Sequence, residues 1–228
     1  MPSSFHDALA VVLPFVIGIE PKSILDVGIG FGKYGVLFRE YLDVARPSDP
    51  GAPFDPTRRT TRIDGIEAHA PYVTPLQRAV YDTIHIGGAL ELLPTLGRYD
   101  LVFAADLLEH LTRDDGRAFL ALSLARVNLG VLLVMPALDF EQGAVFGNAY
   151  EIHRSSWAPA DFAPYPDADV LTWRRQLLVW LPSDGVRRVL PRPTLREALG
   201  LAARACLVRV LGGLRSEAWL DEHWRRRT

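Results

Sequence analysis

The stretch DVGIGFGK, residues 26–33, follows a short apolar run and carries three glycines at alternate positions. The run before it, SILDV at Ser23–Val27, predicts a buried parallel strand because it is almost continuously apolar. Apolar residues at helical spacing after the glycines predict a helix over residues 33–42. Glycine permits unusual dihedral angles and lets a ligand approach the main chain closely. The stretch therefore predicts a ligand-binding turn between a strand and a helix.

Strands and helices continue to alternate after this turn. Further strands are predicted at Arg62–Glu67, Thr83–Ile86, residues 99–104 and residues 130–135. Helical stretches such as residues 114–125 lie between most of them, and residues 8–19 form a buried helix before the first strand. This alternation predicts an α/β fold with a doubly wound, mainly parallel, Rossmann-like sheet and helices on both faces.

The pattern changes after the fifth strand. Residues 137–162 form a long polar and aromatic stretch without a clear period. Two strand-like segments, residues 170–174 and 177–181, are separated by only two residues. They predict a hairpin or an antiparallel edge of the sheet. Between the first two strands, residues 45–61 are rich in proline and predict a surface loop.

The C-terminal part of the chain is basic, with ten arginines and four acidic residues from position 187 onward. Residues 184–193 have the composition of a linker, and helices are predicted over residues 194–211 and 216–226. We therefore expect a domain over residues 1–183 and a helical C-terminal extension over residues 184–228. A basic amphipathic helix suits docking on the sheet domain, a homo-oligomer contact or contact with an anionic membrane surface.

Charge and cysteine content exclude several classes of protein. The net charge of −2 does not suit a chain that binds polyanions along its whole surface. A small basic patch formed by Arg46, Arg58, Arg59 and Arg62 has only Phe54 between its members, which is not an aromatic platform for bases. The sequence therefore gives no clear sign of a nucleic-acid partner, and a protein or nucleic-acid methyl acceptor is the less supported alternative to a small molecule. The single cysteine, Cys206, excludes a disulfide framework and fits a cytoplasmic location. The apolar run at residues 8–19 is too short to cross a bilayer, and we expect no signal peptide.

The glycine spacing and two acidic residues indicate the class of ligand. Dinucleotide-binding loops have the pattern G-x-G-x-x-G, whereas this loop has G-x-G-x-G and Lys33 at the place of the final glycine. Asp26 would repel a pyrophosphate and suits a cationic ligand better. Glu67 closes the second strand, where an acid can accept hydrogen bonds from both ribose hydroxyls. A nicotinamide-dependent oxidoreductase is disfavoured but remains an alternative, as does a tight turn that serves packing alone.

Taken in order, these segments resemble the class I S-adenosylmethionine-dependent methyltransferases. The resemblance covers residues 20–182, and its first and fourth motifs are the most specific. Its motifs are DVGIGFG at residues 26–32, RIDGIE at Arg62–Glu67, IGGALELLP at residues 86–94, YDLVFAADLLEHL at residues 99–111 and GVLLVMP at residues 130–136. The resemblance implies S-adenosylmethionine as cofactor and methyl transfer as activity.

The resemblance also implies roles for the glycine loop and the acid beyond it. Asp26 and Gly32 belong to the loop, in which Gly28 and Gly30 would face the methionine part of the cofactor. Glu67 would hold the ribose.

Later motifs would complete the cofactor site. Gly88 and Ala89 would lie beside the adenine, and Ala68 would line the site next to the ribose-binding acid. Asp106 and Leu107 would border the cofactor and the mouth of the substrate pocket. The chain departs from the family at Gly88, because many members carry there an acid that bonds the adenine amino group.

Two histidines are candidates for chemistry at the methyl acceptor. Methyl transfer from a sulfonium requires alignment and, where the acceptor must lose a proton, a base. His153 lies in the polar stretch after the fifth strand, and His110 follows the fourth strand. We predict His153 first and His110 second as a base or substrate ligand, with a purely local structural role as the alternative. Tyr150 and Trp157 either wall the acceptor pocket or pack in the core.

No metal site is predicted, because the six histidines are scattered without the paired spacing of zinc helices. Residues 147–162 are similar to a segment of some uncharacterised bacterial members of the family, which indicates a subgroup rather than a substrate. We expect an enzyme that methylates a small molecule or a glycan. The alternative is a non-catalytic methyltransferase-like subunit that binds ligands or supports a partner.

Overall fold

The computed structural model describes residues 6–44, 55, 57–139 and 141–192, and seven strands in this part of the chain form one sheet. The strands are β1 Ser23–Val27, β2 Arg62–Glu67, β3 Thr83–Ile86, β4 Tyr99–Ala105, β5 Val127–Pro136, β6 Asp169–Trp173 and β7 Gln176–Pro182. The helices are α1 Leu9–Ile19, α2 Lys33–Arg39, α3 Pro75–Val80, α4 Ala89–Leu92 and α5 Arg113–Leu124. Short 3-10 turns lie at His6–Ala8, Ala70–Tyr72, Leu93–Thr95, Leu108–His110, Ala149–Glu151 and Pro159–Phe162.

The strands are arranged in the order β3-β2-β1-β4-β5-β7-β6. Neighbours from β3 through β5 are parallel, whereas β7 is antiparallel to both β5 and β6. The winding reverses between β1 and β4, and the carboxyl ends of strands at such a switch point form the crevice in which ligands bind. The predicted doubly wound, mainly parallel sheet with an antiparallel edge is confirmed.

A hydrophobic core lies on each face of the sheet. Successive side chains of a strand point to opposite faces, so Ile24 and Leu25 of β1 enter different cores. One core contains Phe15 of α1 and Phe38 of α2, and the other contains Phe119 of α5. The central parallel strands are therefore covered on both faces, which explains their continuous apolar sequences.

Strand β5 begins three residues earlier than predicted, at Val127 instead of residue 130. Asn128 and Gly130 have the character of turn residues in the sequence. In the structure Val127 is fully buried and pairs with Tyr99 of β4, and the ladder shifts register just after this pair. Tertiary pairing therefore overrides the local turn signal.

The α-helical part of α2 ends at Arg39, three residues before the predicted end at residue 42. A π-helical turn at Glu40–Val44 follows it directly. The buried Arg39 guanidinium pairs with Asp43, four residues later, and also with Asp82. Asp43 in turn accepts the N–H groups of residues 60 and 61, directly before β2. This buried network ties the end of α2 to the start of the next strand.

The segment after β7 continues to pack on the sheet. Leu190 is buried, and its N–H donates to Asp169 Oδ2 at 2.6 Å. Contacts group the described residues up to Pro191 into one compact unit. The helices predicted over residues 194–211 and 216–226 lie outside the described residues, and the division at residue 183 stays a prediction. No helix in the described part of the chain combines the length and apolar character needed to cross a bilayer.

Candidate active site

An open pocket of about 1040 Å³ lies at the carboxyl ends of β1, β2 and β4. Ten of the twelve predicted site residues line it, namely Asp26, Gly28, Gly30, Glu67, Ala68, Gly88, Ala89, Asp106, Leu107 and His110. The other two, Gly32 and His153, are not among its lining residues. Segments that are distant in the sequence thus meet at one edge of the sheet.

The glycine loop requires its glycines. Gly28, Gly30 and Gly32 have φ values of 79°, 50° and 77°, in the left-handed region that side chains disfavour. A Cβ at Gly28 would also lie 3.3 Å from Leu107 Cδ1 across the pocket. Gly32 does not face the pocket but forms the left-handed N-cap of α2. The loop therefore presents main chain, and not side chains, to a ligand.

Glu67 holds the loop in place from the end of β2. Its two carboxylate oxygens accept the N–H groups of Gly30 at 2.9 Å and His69 at 2.8 Å. Burial raises the pKa of this carboxyl group, and the two backbone hydrogen bonds oppose the rise. A carboxylate has about four acceptor positions, so two backbone donors leave capacity for the hydroxyls of a ligand.

Gln77 of α3 supports the same loop from behind and was not identified from the sequence. Its buried side chain donates to Gly30 O at 3.0 Å and to Tyr72 O at 2.9 Å. Gln77 also completes a capping box with Thr74 at the start of α3. The capping signal is visible in the sequence, but the contact with the loop depends on the tertiary fold.

Asp26 is buried beneath the loop and pairs with Tyr81, a residue that sequence analysis did not identify. Tyr81 Oη donates to Asp26 Oδ2 at 2.6 Å. Burial raises the pKa of Asp26 to about 7, the bond from Tyr81 opposes the rise, and the charge of Glu67 adds to it. Gly35 makes room for the tyrosine, because a Cβ there would lie 2.9 Å from Tyr81 Cε1 and closer still to Cζ.

Aromatic side chains form the outer part of the pocket. Phe31, Tyr72 and Tyr150 line it, and the rings of Phe31 and Tyr72 have their centroids 5.6 Å apart. Trp157 instead belongs to the core, where its indole N–H donates to Leu108 O at 3.2 Å. Of the two aromatic residues considered from the sequence, only Tyr150 lies at the pocket.

Next to the pocket, His110 and His153 come together with Glu109. The imidazole centroids are 5.0 Å apart, and one ligand-capable atom from each of the three residues lies within 4.8 Å of the others. His110 Nδ1 lies 3.3 Å from Ile152 O. Burial lowers the pKa of His110 to about 4, so this imidazole is neutral at pH 7. The grouping corrects the expectation that the histidines are scattered.

Main-chain hydrogen bonds hold this cluster together. Glu109 O accepts the N–H groups of Arg154 at 2.7 Å and Ser155 at 3.1 Å, which brings the loop after β5 against the turn after β4. The Glu109 side chain is 4% exposed, and burial together with the charge of Asp106 raises its pKa well above the usual value. The sequence gives no sign of this contact, because two distant loops make it.

The sequence matches no protein-family model and no curated protein sequence. Solved structures, however, share the fold. The N-terminal domain of EvdMO1 with SAH bound has a TM-score of 0.54 at 18% identity, over 79% of this chain and 82% of that chain. The DhpI-SAM-HEP complex has a TM-score of 0.57 at 15% identity, over 76% and 84%.

A SAM-dependent methyltransferase from Archaeoglobus fulgidus shares the fold as well. It has a TM-score of 0.51 at 12% identity, over 75% of this chain and 90% of that chain. The chain described here has the fold of the class I methyltransferases.

Proposed function

We propose that this chain is an S-adenosylmethionine-dependent methyltransferase that acts on a small molecule. The observation that carries the proposal is the position of Glu67, a buried carboxylate that orders the glycine loop at the switch point of the sheet. The solved structures of the same fold that contain SAM or SAH support this choice of cofactor.

The pocket fits the parts of the proposed cofactor. Glu67 has acceptor capacity for two ribose hydroxyls, and the bare main chain at Gly28 and Gly30 leaves room for the methionine part. Space for the adenine lies beside Gly88, where an added Cβ would meet nothing within 4 Å. Asp26, when ionised, offers a negative charge beneath a cationic ligand.

When bound, S-adenosylmethionine supplies a methyl group on a positively charged sulfur. The chain's own residues must align the acceptor with that group and exclude water. Phe31, Tyr72 and Tyr150 provide apolar surface for this at the pocket mouth. An acceptor that carries a proton at the reacting atom would also have to lose it, to a nearby side chain or to solvent.

We assign the contact with the acceptor to the two histidines. His110 lines the pocket, and its neutral imidazole can hold a hydroxyl without repelling the cationic cofactor. His153 does not line the pocket, but its ring centroid lies 5.0 Å from that of His110, and it remains our first choice for a base or substrate ligand. The acceptor is expected to be a small molecule or a glycan, since the pocket is a crevice and not an extended basic groove.

Transfer of label from methyl-labelled S-adenosylmethionine to a panel of phenols, catechols and sugars tests the proposal. We expect transfer to at least one class, with loss in His153→Ala while cofactor binding is kept. His6→Ala, at an exposed histidine, is the matched control. Full activity in His153→Ala would remove this residue from the mechanism, and cofactor binding without any transfer would favour the non-catalytic alternative.

A further inference from the structure

We infer that Glu109, His110 and His153 form a binding site for a first-row divalent metal cation at the edge of the cofactor pocket. As a cation site the inference stands on these three side chains alone. Its role in catalysis, as the place where an oxygen-bearing acceptor binds, rests on the proposed function, and in that role His153 is a ligand of the cation instead of a base.

The three side chains have the right chemistry and spacing for a cation. Two imidazoles and one carboxylate that leave open positions are typical of catalytic sites for first-row divalent metals. One ligand-capable atom from each lies within 4.8 Å of the other two. Ligand atoms about 2.1 Å from a shared ion are roughly 3.0–3.4 Å apart. Small side-chain rotations of Glu109 and His153 would close the remaining distance.

A second observation points to a ligand independently of this spacing. Glu109 is 4% exposed, and within the described part of the chain its Oε2 atom has no hydrogen-bond partner. A buried carboxylate without compensation is strongly unfavourable. A divalent cation would supply the partner that this buried oxygen atom lacks among the described residues.

The surroundings of the histidines also suit metal ligands. A histidine ligand usually directs its second ring nitrogen to a carbonyl or carboxylate, which fixes the tautomer and the ring. His110 has such a partner in Ile152 O, 3.3 Å from Nδ1. The main chain of His153 is anchored as well, because its N–H donates to Gln142 O at 3.0 Å. The ligands are thus held by residues that would not themselves touch the cation.

The position of the site narrows the class of acceptor. His110 faces the cofactor pocket, whereas Glu109 and His153 lie together in an adjoining cavity. A cation between them would bind oxygen atoms of an acceptor at its open positions and lower the pKa of a hydroxyl. The hydroxyl proton would pass to solvent and the oxygen would bond to the methyl carbon. The carbon–sulfur bond would break with its electron pair left on sulfur, which gives S-adenosylhomocysteine as the leaving group. We therefore propose vicinal diols or catechols, which chelate through two oxygens, as acceptors.

Titration of the untagged, chelator-treated full chain with Co²⁺ tests the site, since the visible absorption of Co²⁺ reports its coordination. We expect one-to-one binding in the wild-type protein. Glu109→Gln and His153→Gln should each weaken it by about tenfold or more. The matched controls are Glu91→Gln and His6→Ala, which change an exposed acid and an exposed histidine and should bind as the wild type does.

Binding of S-adenosylhomocysteine, measured in the same samples, separates this inference from the proposed function. The inference is overturned if the wild-type chain binds S-adenosylhomocysteine but no Co²⁺ up to about 1 mM. It is also overturned if Glu109→Gln and Glu91→Gln bind Co²⁺ equally. Circular dichroism establishes that each variant is folded. Co²⁺ binding that depends on these ligands supports the cation site even if the nucleoside does not bind.

Discussion

Replacing Glu67 by glutamine perturbs the cofactor pocket at its centre while keeping the shape of the side chain. The carboxylate accepts the N–H groups of Gly30 and His69 through different oxygens. A glutamine amide retains one acceptor oxygen, and its NH₂ group can only donate. One backbone donor near the pocket therefore loses its partner, and the ribose hydroxyls lose a charged acceptor.

The size of the effect follows from these bonds. A hydrogen bond to a charged group contributes roughly 1.5–3 kcal/mol, and an unpaired buried donor costs about 1–3 kcal/mol. Relief of the buried charge of Glu67 offsets part of this, so we expect the free energy of unfolding to fall by about 1–2 kcal/mol. Loss of about 2 kcal/mol in ligand binding weakens the affinity for S-adenosylhomocysteine about 30-fold.

Isothermal titration calorimetry with S-adenosylhomocysteine and with its 2′,3′-dideoxy analogue measures the binding part of this prediction. The wild-type chain should bind the analogue more weakly than the parent compound, whereas Glu67→Gln should discriminate little between them. Glu91→Gln on α4 is the exposed matched control. Urea denaturation without ligand measures the stability part.

Two results would refute the reasoning. Affinity of Glu67→Gln for S-adenosylhomocysteine within about threefold of the wild-type value would mean that this carboxylate does not hold the ribose. An equal loss of affinity for the parent compound and the dideoxy analogue would mean that Glu67 acts only through the order of the glycine loop.

Three further changes give different signatures. Gly35→Ala should lower the free energy of unfolding by about 1–3 kcal/mol, because the new Cβ meets the Tyr81 ring. Gly18→Ala, where the new Cβ enters open space, should raise it by about 0.4–1 kcal/mol. Equal effects of the two variants in urea denaturation would contradict this prediction. The Asp26 pKa, about 7 in the folded chain, lies above its ordinary value of 3.8, so the stabilising protonation is lost as pH rises from about 4 to 7. Wild-type stability should therefore fall across this range relative to Asp26→Asn, and parallel pH profiles would show that Asp26 ionises normally. Gly88→Asp adds an acid at the N-cap of α4, where nothing lies within 4 Å of the new Cβ. The new carboxylate should bond the adenine amino group and tighten S-adenosylhomocysteine binding about 3–10-fold. Unchanged affinity in calorimetry would place the adenine elsewhere.

Strand β1 could be predicted closely because it is an almost continuous apolar run that ends at the glycine loop. Strands β2 and β3 also have the predicted bounds, although β2 carries three charged residues and β3 is a partly exposed strand at the edge of the sheet. The antiparallel edge was also predictable, because only two residues separate the last two predicted strands. The start of β5 at Val127 was not, because it depends on pairing with Tyr99 across the sheet.

The same distinction applies to the site. The glycine loop and Glu67 are predictable because each lies at the carboxyl end of a strand, and all parallel strands end at one edge of the sheet. Tyr81 could not be foreseen, since its contact with Asp26 depends on how α3 packs against the loop. The proximity of His110 and His153 could not be foreseen either, because it depends on main-chain hydrogen bonds between two loops that are distant in the sequence.

Calorimetric titration of the untagged wild-type chain with S-adenosylhomocysteine and, separately, with NAD⁺ tests the central claim most directly. The proposed function predicts one-to-one binding of the sulfur nucleoside and no measurable binding of NAD⁺, whose pyrophosphate would face the Asp26 carboxylate. Binding of NAD⁺ alone would contradict the cofactor assignment and restore the oxidoreductase alternative. Binding of neither compound would contradict the claim that this pocket is a nucleoside site.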